Sequence, residues 1–288
     1  MVNFKNVELS DRSWVNEILY AHNPPSLEYN FTTLFIWNEI YKTKIAQYQN
    51  TLLAQFGEEK KLYLFPIGKN PKAAIEYLLQ NVKNLRIGGI GEKAKDFLEM
   101  HFPQKFNFFE DRNMSDYIYT SQSLMTLTGK KLSSKRNHIN RFLENNPDWS
   151  YEKITEYNIS EVDKMHDEWV SSMDEKDGLF EEGKAVKKAL KNFFELSLSG
   201  GAIRCGRKII AFSMGDKLND NTFIVHIEKA FHEIQGAYPM INKQFVIANC
   251  SEFEFVNREE DTGDEGLRRA KLSYNPHTVL KKYYAVEV

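Results

Sequence analysis

Cysteine is nearly absent. Cys205 and Cys250 are the two in the chain, far apart and in no C-x-x-C pair. That excludes a disulfide framework and a zinc ribbon, and fits a reducing compartment. Charge of one sign is lacking too: 38 basic against 40 acidic residues leave a net charge of -2. A general nucleic-acid or membrane-surface binder carries a basic excess, so DNA is not an expected partner, and recognition of an anion must come from a local patch. No apolar run approaches the roughly 18 residues that span a bilayer. Met1–Leu9 alternates apolar and polar residues and lacks the apolar core of a signal peptide. A cytoplasmic protein without a membrane span is the expectation. His226 and His232 have no metal-ligand spacing with other donors, so no metal is expected.

What is present is aromatic bulk: 20 Phe and 14 Tyr in 288 residues, with 42% hydrophobic content. A core of two-domain size can be buried. Periodicity predicts a mixed α+β chain. A helix is expected over about 26–37, then three strand-like runs, a helix near 71–79, a strand at 85–87 and a helix after Gly91. Gly88, Gly89 and Gly91 form a weak phosphate-loop signal. Residues 101–129 are irregular apart from a strand-like run over 117–128, and the boundary is placed here, giving domains 1–115 and 116–288. The second half repeats the order: helices, strands at 202–205, 207–215 and 222–230, a helix over about 236–249, a strand at 253–256 and a further helix. Gly200-Gly201 is read as a helix stop. Element order, more than residue identity, predicts a duplicated unit.

The densest chemistry lies at 257–274, Asn-Arg-Glu-Glu-Asp-Thr-Gly-Asp-Glu-Gly-Leu-Arg-Arg-Ala-Lys-Leu-Ser-Tyr, with five acids and four bases. At a strand-to-helix junction such a mixture is either a solvated face or a site where cations hold an anion and carboxylates orient them. Arg258, Arg268 and Lys271 are the candidate phosphate-binding cations, with a structural salt-bridge network as the alternative. Lys130, Lys131, Lys135, Arg136 and Arg141 crowd the start of another helix with no acid among them. Cations there oppose the helix dipole unless an anion joins them, which marks Lys135 and Arg136 as candidates beside the simpler reading of a basic face. Strict alternation on 222–230 puts Phe223, Val225 and Ile227 on a core face, and Ile224, His226 and Glu228 on the other. Glu228 there is either a base for an amine or an ion-pair partner of Arg258 or Lys271.

Gln235-Gly236-Ala237-Tyr238-Pro239 opens a helix, and Ala270 precedes Tyr274 by four residues. On these pieces the second half resembles the acyl-CoA N-acyltransferase superfamily. The resemblance implies a pyrophosphate on the amides around Gly236 and a tyrosine, Tyr274, that protonates a leaving thiolate; Tyr238 is a further general-acid candidate, with ordinary packing the alternative for both. Pro239 departs from the pattern because it removes a donor. Lys135-Arg136-Asn137-His138-Ile139-Asn140-Arg141-Phe142, Ile227-Glu228-Lys229-Ala230 and Asn257 to Pro276 are similar to the C-terminal domain of phosphatidylglycerol lysyltransferases. That similarity implies two acyltransferase folds in tandem. It further implies a donor of the acyl-CoA or aminoacyl-tRNA kind, no firm cofactor, and a small-molecule or peptide amine as acceptor. A non-catalytic protein that binds an anion or a tRNA end on the same fold is the rival expectation.

Overall fold

The structure is a computed structural model and describes residues 2–173 and 179–288. Two mixed sheets, of eight and seven strands, carry the helices. The first runs Lys5–Asn6, Lys44–Tyr48, Thr51–Phe56, Leu62–Leu64, Arg86–Ile90, Tyr283–Glu287, Phe106–Glu110, with Ile67–Gly68 paired beside Thr51–Phe56. The second runs Trp149–Lys153, Ser199–Cys205, Lys208–Lys217, Thr222–Ala230, Phe255–Asn257, Asp116–Thr120, Thr278–Leu280. Position by position the two orders correspond. Each has an antiparallel meander and then a parallel pair, Leu62–Leu64 with Arg86–Ile90 and Thr222–Ala230 with Phe255–Asn257. A parallel step needs a crossover, and the helices Pro71–Asn81 and Ala237–Asn249 supply it.

The sixth position of the first sheet is filled from the second half, and that of the second sheet by the strand at the boundary. Asp116–Thr120 directly follows the first half's last strand, yet it pairs antiparallel with Phe255–Asn257 and Thr278–Leu280. Tyr283–Glu287, the last strand of the chain, crosses back between Arg86–Ile90 and Phe106–Glu110. The first half does not close its own sheet, because that sheet's sixth strand comes from the far end of the chain. A hydrophobic cluster extends from Val7 to Tyr274 through both halves, while a smaller one lies wholly around the first sheet and includes Ala285 of the exchanged strand.

Local chemistry revises three expectations. The helix over 26–37 is broken into a turn at Leu27–Tyr29 and helices Phe31–Ile36 and Asn38–Tyr41. Asn30 is the cause, because its side chain accepts from Thr33 N–H at 3.1 Å and starts a helix there. The run over 117–128 is a strand only to Thr120, which caps the helix Ser121–Thr126 through Ser123 N–H. Gly200 and Gly201 lie inside a strand rather than stopping a helix. The rings of Phe193 and Tyr151 occupy the space where their side chains would stand.

Candidate functional site

The site is built on an irregularity in the strand Thr222–Ala230. Its partner strand pairs Gly215 with Val225 and Met214 with Ile227, so His226 is an extra residue. Such a bulge re-aims the side chains beyond it. Phe223, before the bulge, packs on Phe245 of the helix Ala237–Asn249 with ring centroids 5.9 Å apart. Glu228, after it, reaches the same helix and accepts from Asn242 Nδ2 at 2.8 Å. The strict alternation that put Glu228 on the face opposite Phe223 is therefore corrected by one inserted residue.

His226 is itself pinned. Nε2 lies 3.1 Å from Asp216 and Nδ1 2.8 Å from Glu259. Asp216 also accepts from Thr32 Oγ1 at 2.6 Å and Asn30 Nδ2 at 2.8 Å, both from the first half. Burial opposes charge on the ring, but the two carboxylate hydrogen bonds outweigh it and push the imidazole up to about 10. His226 thus holds Asp216, and Asp216 in turn clasps the first half.

The parallel strands pair only from Thr222 to Ile224 and from Phe255 to Asn257. Directly after Asn257, Arg258 leaves the ladder, and its Nη2 meets Glu228 Oε1 at 2.8 Å. Its guanidinium carbon lies 4.7 Å from the Tyr274 ring centroid and 5.6 Å from that of Tyr119. Lys135 Nζ, from the helix Ser133–Asn145, lies 4.2 Å from the same Tyr274 centroid. The structure thus brings Glu228, Arg258, Lys135 and Tyr274 together. Burial, and then the charge of Arg258, lowers the Lys135 ammonium, while burial raises the Tyr274 phenol. Two polar atoms here are buried without a partner among the described residues, Arg258 Nη1 and Asn242 Oδ1. One is a donor and the other an acceptor, on either side of the Glu228 carboxylate.

The other sequence candidates stand as follows. Tyr238 is in the first turn of the helix Ala237–Asn249, where burial raises its phenol and the charge of Glu228 adds. Gly236 has a left-handed φ of 84° and packs on the His138 main-chain carbonyl, where any side chain would collide. Ala237 N–H donates to Ile234 O at 3.1 Å and Pro239 has no N–H. That leaves Tyr238 N–H as the open amide of the first three helical positions. Arg136 donates to the carbonyls of Leu127 and Gly129. Lys271 donates to those of Arg258, at 2.7 Å, and Glu260; burial lowers it to about 8. Arg268 forks onto Asp261 at 2.9 and 2.7 Å. Asp261 also accepts from Tyr117 Oη at 2.5 Å and Gly263 N–H at 2.9 Å. Gly89 is enclosed by Leu64 and Tyr29.

Sequence reasoning missed Asn242, Tyr119 and the partners of His226. It also missed Lys282, which pairs with Asp116 at 2.6 Å and Glu28 at 2.8 Å. Beside them burial pushes Glu260 up to about 8, and its Oε2 has no partner among the described residues. No spacing signal marks these groups, because their partners lie many residues away on other elements. Among the described residues no cluster of three or more metal-ligating side chains occurs, and no helix is long and apolar enough to cross a membrane.

Two corresponding mixed sheets, each with a parallel pair joined by a crossover helix, define the class: a tandem acyl-CoA N-acyltransferase-like fold. The chain belongs to the family described as phosphatidylglycerol lysyltransferase, C-terminal, whose profile matches residues 22–286. It is similar over its whole length to a conserved protein of unknown function from Bacteroides thetaiotaomicron. That pair shows 38% identity, full coverage of both chains and a TM-score of 0.95. It shares the fold of the C-terminal domain of a putative lysylphosphatidylglycerol synthetase from Agrobacterium fabrum, at 14% identity and a TM-score of 0.66, covering 96% of this chain and 91% of that one. An uncharacterised protein of Mycoplasmoides gallisepticum is 26% identical over 173 residues, which are 59% of this chain and 55% of that relative. The match thus spans about half the length of this curated relative.

Proposed function

We propose that the protein is a transferase that moves an acyl or aminoacyl group from a phosphate-bearing donor, an acyl-CoA or an aminoacyl-tRNA, to an amine of a small molecule or peptide. The observation that carries this reading is the buried Glu228–Arg258 pair flanked by an unpartnered donor and an unpartnered acceptor. Leaving such groups unpaired costs about 1–3 kcal/mol each, which a bound polar ligand would recover.

Arg258 Nη1 is the donor for the carbonyl oxygen, where negative charge grows as the amine attacks. Asn242 Oδ1 accepts from the amine and holds it in line. A bond forms between the amine nitrogen and the carbonyl carbon, and the bond from that carbon to the leaving sulfur or oxygen breaks. The amine proton passes to Glu228, and Tyr274, kept protonated by burial, gives a proton to the leaving atom. Lys135 and the open Tyr238 N–H serve the donor's phosphates, the latter with the helix dipole behind it. Arg136, Arg268 and Lys271 hold the walls through the contacts already described.

Thermal-shift and calorimetric titration with a panel of acyl-CoAs and aminoacyl-tRNAs tests the reading. At least one donor is expected to stabilise the protein, and Glu228→Gln is expected to keep donor binding while transfer falls at least about 100-fold. Binding by the wild type with no transfer to any amine would favour the non-catalytic alternative. No stabilisation by any donor would overturn the proposal.

A further inference from the structure

A groove with a mixed lining lies on the other side of the Thr222–Ala230 strand. Glu228 points to the helix Ala237–Asn249, whereas the next residue, Lys229, points to Glu182 of the helix Leu179–Lys191, at 2.6 Å. That helix, together with Ile159–Ser171 and the first half's Phe31–Ile36 and Asn38–Tyr41, encloses a groove of about 560 Å³. Its apolar wall is Ile36, Ile40, Val170 and Phe180. Four lysines line it against two acids, Glu39 and Asp167. Lys187 and Lys188 are paired with Asp167 and Glu39, at 2.7 Å each. Lys184 and Lys191 make no ion pair among the described residues, and Lys184 Nζ lies 4.0 Å from the Phe180 ring centroid.

His166 also lines this groove. It is 1% exposed, and neither ring nitrogen has a hydrogen-bond partner among the described residues. A buried imidazole with both nitrogens unpaired is costly, so native structures leave one only where something else satisfies it. Gly183 faces it from the middle of the opposite helix, where glycine costs about 1 kcal/mol relative to alanine. A methyl group there would sit 4.0 Å from His166 Nε2, in contact with the ring and without collision. The glycine therefore leaves open space beside the buried imidazole at the expense of helix stability.

We infer that this groove is a second ligand site, separate from the Glu228–Arg258 site, for a small oxyanion carrying an apolar body. The oxyanion accepts from His166 and from Lys184 or Lys191, and the apolar body lies along Ile36, Ile40, Val170 and Phe180. Burial lowers the His166 imidazole, with the charges of Lys229 and Lys187 adding and the nearby Gly183 main chain and Asp167 charge opposing. The ring is thus neutral at pH 7 and donates from one nitrogen only.

Calorimetry with hexanoate, phenyl phosphate and inorganic phosphate tests the assignment and separates a carboxylate source from a phosphate monoester. Hexanoate or phenyl phosphate is expected to bind at millimolar concentration or better, with inorganic phosphate weaker. Gly183→Ala should raise the melting temperature of the free protein yet weaken binding about tenfold by filling the space beside the ring nitrogen. His166→Phe keeps the ring that packs 6.4 Å from Trp169 and 6.3 Å from Phe212 and is expected to weaken binding similarly. Absence of binding by both organic probes, equal binding of inorganic phosphate, or affinities unchanged in both variants would overturn the inference.

Discussion

Arg258→Met tests the centre of the site most directly. The Arg258 and Glu228 side chains are 11% and 12% exposed, and their 2.8 Å contact is nearly dry. Removing one partner of a buried pair leaves the other charge uncompensated and costs about 3–5 kcal/mol. The methionine retains most of the stem but loses the cation over Tyr274 and Tyr119, about 1 kcal/mol of that total. Glu228→Gln keeps oxygen and nitrogen atoms in place and is expected to cost about 1–2 kcal/mol. In the double variant no charge is stranded, so its cost should fall about 2 kcal/mol below the sum of the singles. Urea denaturation reads this out: with an m-value of about 3 kcal/mol/M for a chain of this size, Arg258→Met shifts the midpoint down by about 1 M or more. Additivity within about 0.5 kcal/mol would refute the claim that the two side chains form one buried unit.

Two further outcomes follow from the clasp and the exchanged strand. The folded His226 titrates near 10, above its ordinary 6.5, so the stabilisation is complete below pH 6.5 and is lost as pH rises towards 10. Urea midpoints measured across pH 6–10 should fall in the wild type and fall less in His226→Gln; parallel profiles would count against the clasp. Deleting residues 283–288 removes the strand between Arg86–Ile90 and Phe106–Glu110 and exposes the core around Ala285. Amide exchange in the first sheet, far from the deletion in sequence, is expected to accelerate by at least about 100-fold, and unchanged protection there would disprove the interlock.

Much of the architecture was readable because it is written in local periodicity. The aromatic and aliphatic spacing located most elements, and the repeated order of meander, crossover helix and strand indicated two units. Misreadings arose where one side chain decided the backbone. Asn30 and Thr120 start helices by capping, and Gly200 and Gly201 are small because of rings from Phe193 and Tyr151. Within the site, Glu228, Arg258 and Tyr274 stood out as chemistry-bearing residues, and the structure places them in contact. Asn242 and Tyr119 gave no signal, since an amide in an amphipathic helix and a tyrosine in a strand look like ordinary packing.

The sequence by itself determined the composition of the core, the order of the elements and the concentration of charge after Asn257, because each is a property of neighbours along the chain. Only the tertiary structure decided that the last strand of the chain completes the first sheet, since main-chain hydrogen bonds carry no residue identity. It also decided which cations are internally paired. Long arginine and lysine side chains reach carbonyls and carboxylates from distant segments, so Arg136, Arg268 and Lys271 became internal braces while Arg258 kept one donor unpaired among the described residues. The extra residue at His226, invisible to a period of two, is what turned Glu228 towards that donor.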